Sequence, residues 1–168
     1  YWENVTKPKL EITFHRQSGS NLLIVGQKDE MVYDILAAQL LSIATQMDPD
    51  SGNNVSVLDF SAVDSPFARR LSDLQKQIPV MQVGRRRQLP DILSELSIEA
   101  KNRLDADKTN LPAKFLFLVG IQRARDIRPT DPYSFSMPVD DNADSEQVDL
   151  SQMLATILRD GPDVGVHT

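Results

Sequence analysis

The residues whose types and spacing come nearest to a recognisable chemistry surround Gly26. The run Asn21-Leu22-Leu23-Ile24-Val25 ends at this glycine, and a long apolar helix pattern follows. Strand, glycine turn and helix start are the setting of a phosphate-binding loop, where free backbone N–H groups and the helix dipole attract an anion. The complete loop needs G-x-x-x-x-G-K-[ST]: a glycine that admits the phosphate, a lysine that neutralises it and a hydroxyl that ligates magnesium. Counted from Gly26 without gaps, those three places hold Met31, Val32 and Tyr33. Asp29 and Glu30 also put two carboxylates at the helix start, where a triphosphate would meet repulsion. Gln27 and Lys28 fill the turn between. Lys28 has two readings: a phosphate lysine displaced along the chain, or a solvent-facing lysine balancing Asp29.

Other chemistry is thin. The absence of cysteine excludes disulfides, zinc–thiolate sites and thiol catalysis, and fits a reducing, cytoplasmic setting. His15 and His167 lack neighbouring ligand-type residues, so both read as ordinary structural or surface histidines and no metal site is expected. No catalytic residue is assigned. Asp59 closes an apolar run at the expected carboxyl edge of a sheet, where open α/β folds bind ligands, but it also suits the cap of the following turn. Arg85-Arg86-Arg87 is the only basic cluster and reads as a solvated turn.

The elements that must position these residues alternate. Residues 10–14 (LEITF), 22–25 (LLIV), 55–58 (VSVL), 80–83 and 115–119 (FLFLV) read as strands, the second, third and last buried on both faces. FLFLV is the most apolar and is placed centrally. Helix patterns cover residues 29–47, with Val32, Ile35, Leu36, Leu40, Ile43 and Met47 on one side, and a stretch opened by Ser65 as N-cap and Pro66 at the first position. Two more run from Pro90 to about Asp107, with Leu104 on its inner side, and from Asp149 to Arg159, with Leu158 inward and Gly161 as its stop. The alternation predicts an α/β fold, a largely parallel sheet flanked by helices on both faces, in one domain spanning 1–168.

Charge sets one segment apart. Between Thr130 and Leu150 lie six acids and no Lys or Arg, which matches the whole formal net charge of −6. Residues 129–148 therefore read as an acidic, flexible loop. No apolar run approaches the roughly 20 residues that span a bilayer, so no membrane segment is expected.

Several stretches together resemble the FtsK/SpoIIIE class of P-loop motors. Asn21 to Gly26 with the Ile35-Leu36-Ala37-Ala38-Gln39-Leu40-Leu41-Ser42 helix is similar to the Walker A strand and helix of that family. Ile78-Pro79-Val80 and Glu99-Ala100-Lys101-Asn102-Arg103-Leu104 resemble the region before Walker B, and Lys114 to Val119 the Walker B strand. Gly165-Val166-His167 resembles the Gly-Ile-His that leads into the next core strand. The resemblance covers about Leu10 to Thr168. It implies a RecA/FtsK-like P-loop NTPase fold, truncated before its last core strands.

Against that family the second motif is also eroded. Where Asp and Glu would follow the strand, this chain has Gly120, Ile121 and Gln122, with no carboxylate before Asp126. Gln122 could orient a water but would have no magnesium to act beside. The resemblance thus implies a non-catalytic ATPase-fold module of a larger motor or secretion-type protein, acting in assembly, docking or regulation. Neighbouring ATPase domains or protomers are the implied partners, DNA enters through the parent protein, and no cofactor is expected. The alternative is a working ATP-dependent DNA translocase domain with ATP, magnesium and the missing ligands supplied from another segment. A third reading, a flavodoxin-like or Rossmann-like binding domain, rests on a lone glycine.

Overall fold

A computed structural model describes residues 11–62, 65–106, 111–127 and 149–168. Its centre is two apolar strands, β1 (Val55–Asp59) and β3 (Lys114–Val119), flanked by β2 (Met81–Gly84) and the two-residue β4 (Val166–His167). The sheet order is β2-β1-β3-β4 and every pairing is parallel. Parallel neighbours require crossovers, and these are α2 (Pro66–Gln75), α3 (Leu89–Asp105) and α4 (Leu150–Asp160); α1 (Asp29–Ala44) precedes the first strand.

The non-alternating strands are apolar because both faces are covered. Val55 and Val57 of β1 pack with Leu36 and Leu40 of α1 and Phe67 and Leu71 of α2. On the opposite face Leu58 packs with Leu89, Ile92, Leu93 and Leu96 of α3 and with Leu154 and Ile157 of α4. Burial at about 25 cal/mol per Å² of apolar surface makes these two layers the main stabilising term. Arg103 adds a polar tie: it is 3% exposed, pairs with Glu99 at 2.8 Å and donates to the Pro112 and Val164 carbonyls.

Central placement of residues 115–119 agrees with the sequence reading, as do the parallel sheet and helices on both faces. Boundaries differ at the ends. The strand expected at 80–83 is Met81–Gly84, α1 stops at Ala44 rather than 47, and α3 and α4 run Leu89–Asp105 and Leu150–Asp160. Asp149 stands outside α4 as its N-cap, accepting from the Ser151 and Gln152 amides. Ser65 caps α2 through the Phe67 amide, with Pro66 at the first position as expected.

Two expected strands are absent from the sheet. Residues 11–14 form no ladder, and residues 22–25 run as irregular chain, with Leu23 81% and Val25 87% exposed. Leu22 donates one backbone bond to Thr168, and among the described residues no further ladder forms along 22–25. Asn21 supports this corner by accepting from the Thr168 amide and donating to the Leu158 carbonyl. β4 pairs with Lys114 and Phe115 only, and Phe117, Leu118 and Val119 further along β3 are half-buried. Ile35, Leu104 and Leu158, placed inward by periodicity, are 42%, 45% and 38% exposed. The acidic segment 129–148 lies outside the described residues.

Candidate functional site

Ligands in an open α/β sheet bind beyond the carboxyl ends of the strands, where the strand order reverses. Here the chain steps outward from β1 to β2, then returns past β1 to β3, so the reversal falls between β1 and β3. After β1 the chain runs to α2 on one face. After β3 it enters 3-10 turns at Ile121–Arg123 and Arg125–Ile127, whose Ala124 and Ile127 pack with α4 on the other face. The two loops part at this point.

Asp59 ends β1 at this edge, and its side chain is fully buried. Its Oδ1 accepts from the Ser61 amide at 2.8 Å, so the turn-capping role read from sequence is present. Its Oδ2 lies 3.4 Å from an Arg85 guanidinium nitrogen, an ion pair without a hydrogen bond. Among the described residues the buried Ser61 hydroxyl also has no hydrogen-bond partner. Orphan buried polar atoms are rare because each forfeits its solvation. Sequence reasoning named Asp59, read Arg85 only as part of a solvated basic turn, and missed Ser61. The β1–β2 register, which sets Leu58 beside Gly84, makes Asp59 and Arg85 the next facing pair.

Gly120 sits at the end of β3 with φ +71, a left-handed conformation that suits glycine. A side chain there would meet Phe60 and Ser61 at 3.8–3.9 Å. Ile121 and Gln122 follow on the exposed rim. Arg86 is bound to Asp126 by two hydrogen bonds, one of 2.7 Å, and this pairing holds the Asp126 carboxyl below the usual carboxylate range. It joins the turn after β2 to the turn after β3, so Arg85-Arg86-Arg87 is partly structural and not wholly a solvated run.

The positions read from sequence as an eroded phosphate loop do not form a cradle. Gly26, Gln27 and Lys28 are exposed in irregular chain, and Lys28 is the N-cap of α1 without a side-chain cap. The Val32 amide bonds back to the Lys28 carbonyl, and the Val32 side chain reaches within 3.4 Å of where a Gly26 side chain would stand. Asp29 and Glu30 occupy the first turn, and Met31 is 57% exposed. Tyr33 faces the core: its ring meets Phe67 edge-on at 5.4 Å, and Arg70 lies over it at 5.2 Å.

His167 is buried on β4, between Phe14 and Phe115, with Nδ1 3.0 Å from the Ser20 carbonyl oxygen. Burial pushes its pKa below the ordinary value of 6.5; the Ser20 contact opposes this and Arg16 adds to it. Among the described residues no group of three or more His, Asp or Glu could hold a metal ion, and no helix is long and apolar enough to cross a membrane. Comparison with protein-family models, curated proteins and solved structures gives no match to this chain.

Proposed function

We propose that this chain is a non-catalytic P-loop-like module of the FtsK/SpoIIIE type, serving assembly, docking or regulation within a larger ATPase. The observation that carries the reading is the first turn of α1. It presents Asp29 and Glu30 and no basic residue where a nucleotide phosphate would have to sit. Helix N-termini attract anions through free N–H groups and a partial positive charge, and two carboxylates there cancel that attraction. Tyr33, at the place of the magnesium hydroxyl, is engaged with Phe67 and Arg70. The end of β3 supports the same reading, since Val119 leads into Gly120, Ile121 and Gln122 with no carboxylate. A fold that keeps its parallel sheet and loses both motifs has surfaces to offer neighbouring ATPase domains or protomers, and no cofactor to hold.

One observation favours the alternative of a working ATP-dependent translocase: Lys28 stands exposed at the N-cap of α1, beside the phosphate position. Calorimetry with Mg-ATP at low salt separates the two. The lysine, the magnesium hydroxyl and the acid are missing together, at about 1.5–3 kcal/mol for each charged partner lost. Affinity should therefore be weaker than about millimolar, with no hydrolysis. A saturable micromolar heat abolished by Lys28→Ala would reverse the order of the two readings.

A further inference from the structure

We propose that the sheet edge between β1 and β3 is a small-molecule subsite, built by Asp59, Ser61, Gly120 and Arg85, for a hydroxylated anion of the sugar-phosphate class. It uses none of the phosphate-loop positions and goes beyond the reading above.

Two independent observations meet here. The first is topological: the chain leaves β1 toward one face and β3 toward the other, and in such sheets the parting of the loops is where ligands enter. The second is chemical. Asp59 is fully buried, one carboxylate oxygen is spent on the Ser61 amide, and the other has no hydrogen bond. The Ser61 hydroxyl is orphaned beside it. A folded chain stabilises such a pair when something supplies donors to it.

The chemistry of the four residues selects the class. Asp59 Oδ2 can only accept, while the Ser61 hydroxyl both donates and accepts, a match for neighbouring sugar hydroxyls. A bare anion placed against Asp59 would be repelled. Arg85 reverses that sign at the mouth: its side chain is 37% exposed, and its planar fork suits a phosphate. Arg86 is committed to Asp126 and leaves this role to Arg85. Gly120, left-handed and without a side chain, packs closely against Phe60 and Ser61, where an added side chain would stand in contact at 3.8–3.9 Å.

The test is a nuclear magnetic resonance titration of the 15N-labelled chain with ribose 5-phosphate, ribose alone and inorganic phosphate alone. Saturable shifts at the Ser61 and Gly120 amides are expected with ribose 5-phosphate, and weaker ones with either half. Asp59→Asn keeps an oxygen for the Ser61 amide but turns the second acceptor into a donor, and should weaken binding about tenfold. Ser61→Ala should weaken it by several-fold and carries the test if Asp59→Asn does not fold. Silent Ser61 and Gly120 amides would overturn the proposal. So would phosphate alone matching the sugar phosphate, which marks a simple anion site at Arg85. Mg-ATP added to the same sample reports on the non-catalytic reading separately, through the amides from Gly26 to Val32.

Discussion

At the residue scale, burial without full pairing defines the chemistry of this chain. Asp59 was legible as a strand-ending carboxylate, and the turn-capping meaning read from it is present: one oxygen caps the turn while the other faces Arg85 without a hydrogen bond. Its partners were not legible, because Ser61 and Arg85 matter only once the parallel register of β1 and β2 is known. His167 shows the same limit. A histidine with no ligand-type neighbours in sequence reads as ordinary, yet it is 2% exposed and bonded to Ser20 across almost the whole chain. Its folded pKa lies below the unfolded value, so the unfolded chain binds the extra proton first. The stability it contributes is therefore complete above about pH 6.5 and declines as pH falls toward the folded pKa. Thermal melts of the parent chain should lose midpoint across that interval relative to His167→Gln. Parallel profiles for the two proteins would remove His167 as the cause.

At the scale of elements, local signals located helices well and their edges less well. Ser65-Pro66 fixed the start of α2 because capping and the φ of proline are local physics. The apolar stripe of α1 holds in part: Leu36 and Leu40 are buried and Ile43 and Met47 pack against the same core, while Ile35 faces outward. Periodicity reports the side a helix prefers, not how much of that side finds a neighbour. Gly161 carries a different lesson. Sequence reasoning made it the stop of α4, and it is the C-cap there, but with φ −57; the left-handed conformation comes later, at Gly165. Gly161 is required for space instead. An added methyl group would collide with the Ile157 carbonyl oxygen and lie 2.7 Å from that of Val166. Backbone cannot move aside as a flexible side chain can, so Gly161→Ala should cost about 2–3 kcal/mol, the upper part of the overpacking range. Urea denaturation checks it, and a change below 0.5 kcal/mol, within ordinary surface variation, would show that the α4–β4 corner yields.

At the scale of the whole molecule, the two central strands and the edge strand β2 were legible, and the apolar run at residues 22–25 was misread as a strand. Residues 55–59 and 114–119 are apolar, sit centrally and pair in parallel, as their composition demands. LLIV at residues 22–25 has the same composition and reads identically from sequence. It differs in having no ladder among the described residues, and a strand is a pairing and not a property of four residues. Thr168 accepts one bond from Leu22, and among the described residues no ladder continues beside Leu23, Ile24 and Val25. Residues 23–25 form an apolar exposed strip, and the carboxyl half of β3 is half-buried. The strip allows a sharp test, since a lysine in a buried strand is severely destabilising whereas one on the surface is nearly neutral. With Leu23 81% and Val25 87% exposed, Leu23→Lys and Val25→Lys should each change stability by less than about 0.5 kcal/mol. Urea midpoints of the two variants measure this directly. A loss of about 3 kcal/mol or more would mean that residues 22–25 are buried in the sheet in solution after all, as their apolar, non-alternating sequence suggests.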